Sequence, residues 1–152
     1  HAFRLHLLAF QTLVLAVVPG MKAVRHGRII NVISTSVKQP LPNLGVSNTI
    51  RGAVAQWSKT LANELGPFNI TVNNVLPGAT STERLATIIR NKAAATGASE
   101  ADVAQHMMDE IPLRRFASPE DIAHAITFLA GPHAAYVNGI NLPVDGGRTG
   151  CL

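Results

Sequence analysis

Cysteine is almost absent from this chain. Its single copy, Cys151, stands next to the last of 152 residues, so no intrachain disulfide and no cysteine metal cluster can form. That usage fits a reducing compartment, and a cytoplasmic location is the expectation. Aromatic residues are scarce at 5%, with one Trp and one Tyr, and charged residues make up only 14%. Lys and Arg outnumber Asp and Glu by 13 to 9, a net +4, but no basic run exceeds Arg114–Arg115. Nucleic-acid platforms combine clustered cations with stacking aromatics, so nucleic acid is not an expected partner. The six histidines show no pair at ligand spacing with an acidic partner, and no metal is expected. Apolar residues, in contrast, reach 47%. A chain of 16.1 kDa with that content can bury one real core and is not disordered.

No apolar run is long enough to suggest a membrane span. Leu5–Val18 comes nearest, but it covers 14 residues and includes His6, Gln11 and Thr12. It reads as too short and too polar to cross a bilayer, and as a soluble helix buried on most of its faces. Position 1 is His rather than Met, and is read as a cut or processing point.

Periodicity divides the rest of the chain. Pro19-Gly20 is expected to kink or end the first helix. Gly27–Ile33 is β-branched with little alternation, as in a parallel strand covered on both faces. Ser34–Pro42 is polar and reads as loop. From Val46 to Leu65 the positions Ile50, Val54, Trp57, Leu61 and Leu65 keep helical spacing, and Gly66-Pro67 stops that helix. A second β-branched run, Ile70–Leu76, is broken by Pro77-Gly78. Thr82–Ala95 and Ser99–Glu110 read as two helices joined at Gly97. Ser118-Pro119-Glu120-Asp121 is a strong helix start, with Ser118 as cap, Pro119 in the first position and Asp121 closing a capping box. That helix runs to about Ala130, and Ile140–Val144 makes a final strand. Strands separated by helices predict right-handed crossovers and a parallel sheet. The expectation is a single α/β domain over 1–152, the C-terminal half of a doubly wound parallel sheet with helices on both faces.

Five motifs in order then resemble one family. Gly27–Val32 followed by Ser34 is similar to the strand-and-serine segment of the short-chain dehydrogenase/reductase superfamily. Asn73–Gly78 with Thr82 looks like its Pro-Gly coenzyme loop. Ser118–Ala123, Phe128-Leu129 with Gly139, and Val144–Gly147 resemble its C-terminal signature. The resemblance implies a Rossmann-like fold, NAD or NADP as coenzyme, a small carbonyl or alcohol substrate, and a homodimer or homotetramer built on the long helices and the last strand. Trp57 and Leu61 are the helix residues expected at that interface. The Thr82–Glu110 pair corresponds to the family's substrate lid, and a plain surface helix pair would read the same.

The match covers only the C-terminal half of the family's pattern. The Gly-rich turn that lets a helix N-terminus approach the pyrophosphate has no counterpart here, because Gly146-Gly147 has the wrong spacing. If the 152 residues are a whole polypeptide, one chain cannot complete a coenzyme site; if they belong to a longer one, it can.

The catalytic positions depart as well. The family places a tyrosine thirteen residues after its serine, a lysine four further on, and an asparagine upstream. Counted from Ser34, these fall on Ser47 and Arg51, and the asparagine position on His6. Serine is a poorer acid than a phenol, and arginine does not deprotonate in proteins. The usual proton relay is therefore expected to be absent or weak. Ser34, Ser47, Arg51 and His6 are the candidate catalytic residues. Ser34 would polarise the substrate and His6, which titrates near neutrality, would replace the phenol; alternatively His6 simply bonds a backbone group and Ser34 simply ends a strand. Arg51 could reach ribose hydroxyls, and Pro77, Gly78, Thr80 and Thr82 are the further candidates for holding the coenzyme. A catalytically impaired relative, acting as a coenzyme-binding or assembly subunit, is the competing reading.

Overall fold

The computed structural model describes residues 1–151. Three parallel strands, β1 (Gly27–Val32), β2 (Ile70–Pro77) and β3 (Asn141–Val144), lie side by side in chain order. Gly27 pairs with Ile70 and Val32 with Val75, while Asn74 pairs with Asn141 and Pro77 with Val144. Between β1 and β2 runs α2 (Gly45–Leu65). Between β2 and β3 run α3 (Glu83–Thr96), α4 (Glu100–Asp109) and α5 (Pro119–Ala130). The start of α5 carries the capping box: Ser118 accepts from the Asp121 amide, and Asp121 accepts from the Ser118 amide at 2.8 Å. Arg115, hydrogen-bonded to Asp121, is the main reason that its carboxyl is lowered to about 2, with the Ser118 amide adding to the effect.

Period-two geometry sends alternate strand residues to opposite layers. Ile29, Ile33, Val72 and Leu76 meet α1 (Ala9–Ala23) and α2 on one face. On the other, Val75 and the half-buried Ile30, Leu142 and Val144 meet Ile122 and Leu129 of α5. Helices therefore cover both faces of an α/β sheet. The central strand is buried along nearly its whole length although it carries Thr71, Asn73 and Asn74. Asn73 donates to the Val137 carbonyl and accepts from the Ile140 amide.

A polar ladder crosses the sheet. Asn31 and Asn141 are the register partners of Asn74 on its two sides. The Asn31 amide donates to Asn74 Oδ1 at 3.1 Å and to Ser58 Oγ at 2.9 Å, and Asn74 donates to Asn141 Oδ1 at 2.8 Å. Buried amides tolerate only arrangements that satisfy them, so this row fixes the strand register and ties it to α2.

The first helix differs from expectation. A π-turn over Arg4–Leu8 leads directly into α1, which continues through Pro19 to Ala23. Pro19 forgoes one backbone bond without ending the helix. Only Val14 is buried; Leu13 and Leu15 are 64% and 65% exposed. The helix packs on β1 and α2 through one side, and nothing among the described residues covers the others. Uninterrupted from Arg4 to Ala23, it spans 20 residues, long and apolar enough by length and composition alone to cross a membrane, which corrects the shorter reading. Trp57 and Leu61, expected at an interface, are half-buried and pack against the core beside Val14 and Ile29, where Trp57 donates to Gln11 at 2.7 Å.

Candidate active site

The C-terminal ends of β1 and β2 point the same way because the strands are parallel, and ligands of open α/β sheets bind beyond those ends. Ser34 sits just past β1 in extended backbone. Its Oγ accepts from the Ser36 amide at 3.1 Å and caps the short turn Thr35–Val37. The hydroxyl proton remains available to donate, since an alcohol can both accept and donate.

Ser47 and Arg51 lie four residues apart near the start of α2, hence on one face. The π-turn brings His6 to the same place. All three line a cavity of about 800 Å³ together with Leu44, Ile50 and Arg84. Arg84, in the first turn of α3, escaped sequence analysis. A signal existed, because a cation at a helix start opposes the helix dipole.

The electrostatics are those of crowded cations. Burial lowers the His6 pKa from its ordinary 6.5, and the Arg51 charge lowers it further, so the imidazole is neutral at pH 7. Burial lowers Arg51 as well, with the Arg84 charge second, yet a guanidinium stays protonated. A neutral imidazole beside a fixed cation is set up to accept a proton and then to hold it less firmly than a free histidine would.

Ser34 and the Pro-Gly loop do not line this cavity. Pro77 ends β2, and the Gly78 amide donates to the Val144 carbonyl at 3.0 Å. A Cβ on Gly78 would come within 2.8 Å of Asp145 Cα, so only glycine fits between the two loops. Asp145 in turn accepts from the amides of Gly147 and Thr149; burial works to raise its carboxyl, but these bonds outweigh it and hold it low. The Thr80 and Thr82 hydroxyls donate to the carbonyls of Gly78 and Thr80, each at 3.2 Å. Thr82 also precedes α3 without a side-chain cap, so the amides of that first turn are left for another acceptor. Tyr136 is fully exposed and lines a hollow with Ile70 and Thr71, at the opposite end of the sheet from Ser34.

Comparison with known proteins gives this arrangement its context. A family model described as Enoyl-(Acyl carrier protein) reductase matches residues 1–149. The chain belongs to the short-chain dehydrogenase/reductase superfamily. Among its relatives, the cyclohexanol dehydrogenase of Rhodococcus sp. (strain TK6) is 40% identical over 136 residues, which are 88% of this chain and 47% of that protein. The L-sorbose reductase of Gluconobacter frateurii, solved with NADPH and L-sorbose, superposes with a TM-score of 0.92 at 35% identity, covering 99% of this chain and 58% of that one. The 3-ketoacyl-(acyl-carrier-protein) reductase of Brucella melitensis, solved with NADH, gives 0.80 at 31% identity, covering 95% and 55%. The chain thus spans about half the length of the superfamily members it matches.

Proposed function

We propose that this chain supplies the substrate-side half of an NAD(P)-linked oxidoreductase that interconverts a small alcohol and its carbonyl. One observation carries the reading. His6, Ser47 and Arg51, which the resemblance assigns to the superfamily's asparagine, tyrosine and lysine positions, share one cavity in a fold whose superfamily members include dehydrogenases and reductases.

The nicotinamide would supply or accept the hydride. Described residues would hold one end of such a dinucleotide: the Pro77-Gly78 turn beyond the β2 end sets the course of the loop, its Gly78 amide and carbonyl being taken by Val144 and Thr80, while Arg51 offers donors for ribose hydroxyls and the uncapped start of α3, with Thr80 and Thr82 before it, suits a phosphate. In the proposed chemistry Ser34, which lies beyond β1 and outside the His6 cavity, donates a hydrogen bond to a substrate oxygen that reaches out of that cavity. His6, kept neutral by burial and Arg51, accepts the alcohol proton as the carbonyl forms. Ser47 leaves the space a larger side chain would fill.

The test is NADPH- and NADH-dependent turnover over a panel of ketones and alcohols. His6→Gln is expected to lower alcohol oxidation roughly 100-fold. In the unsubstituted protein the oxidation rate should rise with pH through a value below 6.5 and then level, because the base works only when neutral; the His6→Gln rate should lack that rise. Coenzyme binding without turnover anywhere in the panel would replace this reading with that of a coenzyme-binding or assembly subunit.

A cytoplasmic homodimer or homotetramer is part of the same proposal. What supports assembly is the uncovered apolar flank of α1, notably Leu13 and Leu15. Light scattering at micromolar concentration should give a mass of at least two chains.

A further inference from the structure

The cavity at the start of α2 is lined by three groups that are or can become cationic, and by no acid. His6 comes from the π-turn, Arg51 from α2 and Arg84 from α3, with Leu44 and Ile50 providing apolar wall. Neither arginine is in an ion pair among the described residues, although surface arginines elsewhere are: Arg90 with Glu83, Arg115 with Asp121, Arg148 with Glu110. Glu83, the acid nearest Arg84 in sequence, is thereby turned toward Arg90. Three elements thus converge on one hollow, and among the described residues no acid lines it to balance their charge, in a place where the helix dipole of α3 adds to it.

We infer that the cavity binds the carboxylate of an anionic substrate, clamped between Arg51 and Arg84. The inference rests on the proposed function and narrows its substrate class to oxo acids or hydroxy acids. A guanidinium fork matches a planar carboxylate with two parallel hydrogen bonds, and two forks from different helices fix its position as well as its charge. Of the residues assigned to the coenzyme, Arg51 alone lines this cavity, and Pro77, Gly78, Thr80 and Thr82 do not, which favours a substrate carboxylate here over a coenzyme phosphate. His6 stands in the same wall, so a carboxylate held by the arginines would bring a neighbouring alcohol or carbonyl to the imidazole.

Titration calorimetry at constant ionic strength tests this with succinate and with succinamide, its uncharged counterpart. Saturable binding of succinate alone is expected, weakened about tenfold or more by Arg84→Gln and partly restored by Arg84→Lys. Arg84 is exposed, and circular dichroism would verify that each variant is folded. Absence of succinate binding, equal binding of succinamide, an unchanged affinity in Arg84→Gln, or displacement of succinate by NADPH would each overturn the inference. Its failure is separable from that of the oxidoreductase reading: turnover of neutral ketones without succinate binding keeps the oxidoreductase and rejects the clamp, and succinate binding without any turnover does the reverse.

Discussion

Restoring a phenol and an amine at the start of α2, by Ser47→Tyr together with Arg51→Lys, is expected to raise alcohol–carbonyl turnover by roughly 10²–10⁴-fold, the range that a positioned acid–base group contributes. Ser47 borders a cavity of about 800 Å³, so the larger side chain has room. Residues 47 and 51 lie on one helix face, so a lysine there would favour the phenolate and bring its pKa toward neutrality. The single replacement Ser47→Tyr should gain less, because Arg51 cannot exchange a proton. In the double variant the dependence on His6 should disappear. Comparing kcat for the four combinations, with His6 intact and replaced, checks both statements; an unchanged kcat in the double variant would remove Ser47 and Arg51 from the chemistry.

Asn74→Ala is expected to cost roughly 1–3 kcal/mol of stability, since it removes one of two bonds from the buried Asn31 amide and the donor from the half-buried Asn141 carbonyl. Asn31 Nδ2 would keep only its bond to Ser58, and Asn141 Oδ1 would lose its donor. Asn74→Leu is not an escape, because it leaves the same partners orphaned. Urea unfolding of the variants measures the loss, and a change below 0.5 kcal/mol, the size of an ordinary surface substitution, would mean that the row does not bind the sheet together.

These two sites show where the sequence is transparent and where it is opaque. The strands, α2 and the start of α5 were legible because their signals are local: β-branched runs, Pro-Gly breaks and the Ser118–Asp121 box all act within a few residues. Spacing from Ser34 likewise located Ser47 and Arg51 in one helical turn. The asparagine row was not legible. Its members lie 43 and 67 positions apart, and only the strand pairing aligns them. Arg84 was missed for the same reason, since it comes to line the cavity of Arg51 through the tertiary placement of α3 and not through any repeat. The first helix misled in a different way. An apolar sequence on every side predicts burial on every side, but burial needs neighbours, and the described residues provide them mainly along the Val14 side.

The segment that carries Arg84 leaves and re-enters the sheet at one point. Ser81 donates to the Ala117 carbonyl at 2.8 Å and Ala117 to the Ala79 carbonyl at 2.9 Å, so residues 79 and 117 are joined across the base of everything between them. Insertions and exchanges are best tolerated where chain ends already meet. Residues 82–116 therefore leave and return through one neck, with the Leu113–Gly146 and Arg148–Glu110 bonds as their further ties to the loop after β3, so a segment exchanged there is expected to replace the Arg84 wall of the cavity while the pairing of β1, β2 and β3 is inherited unchanged.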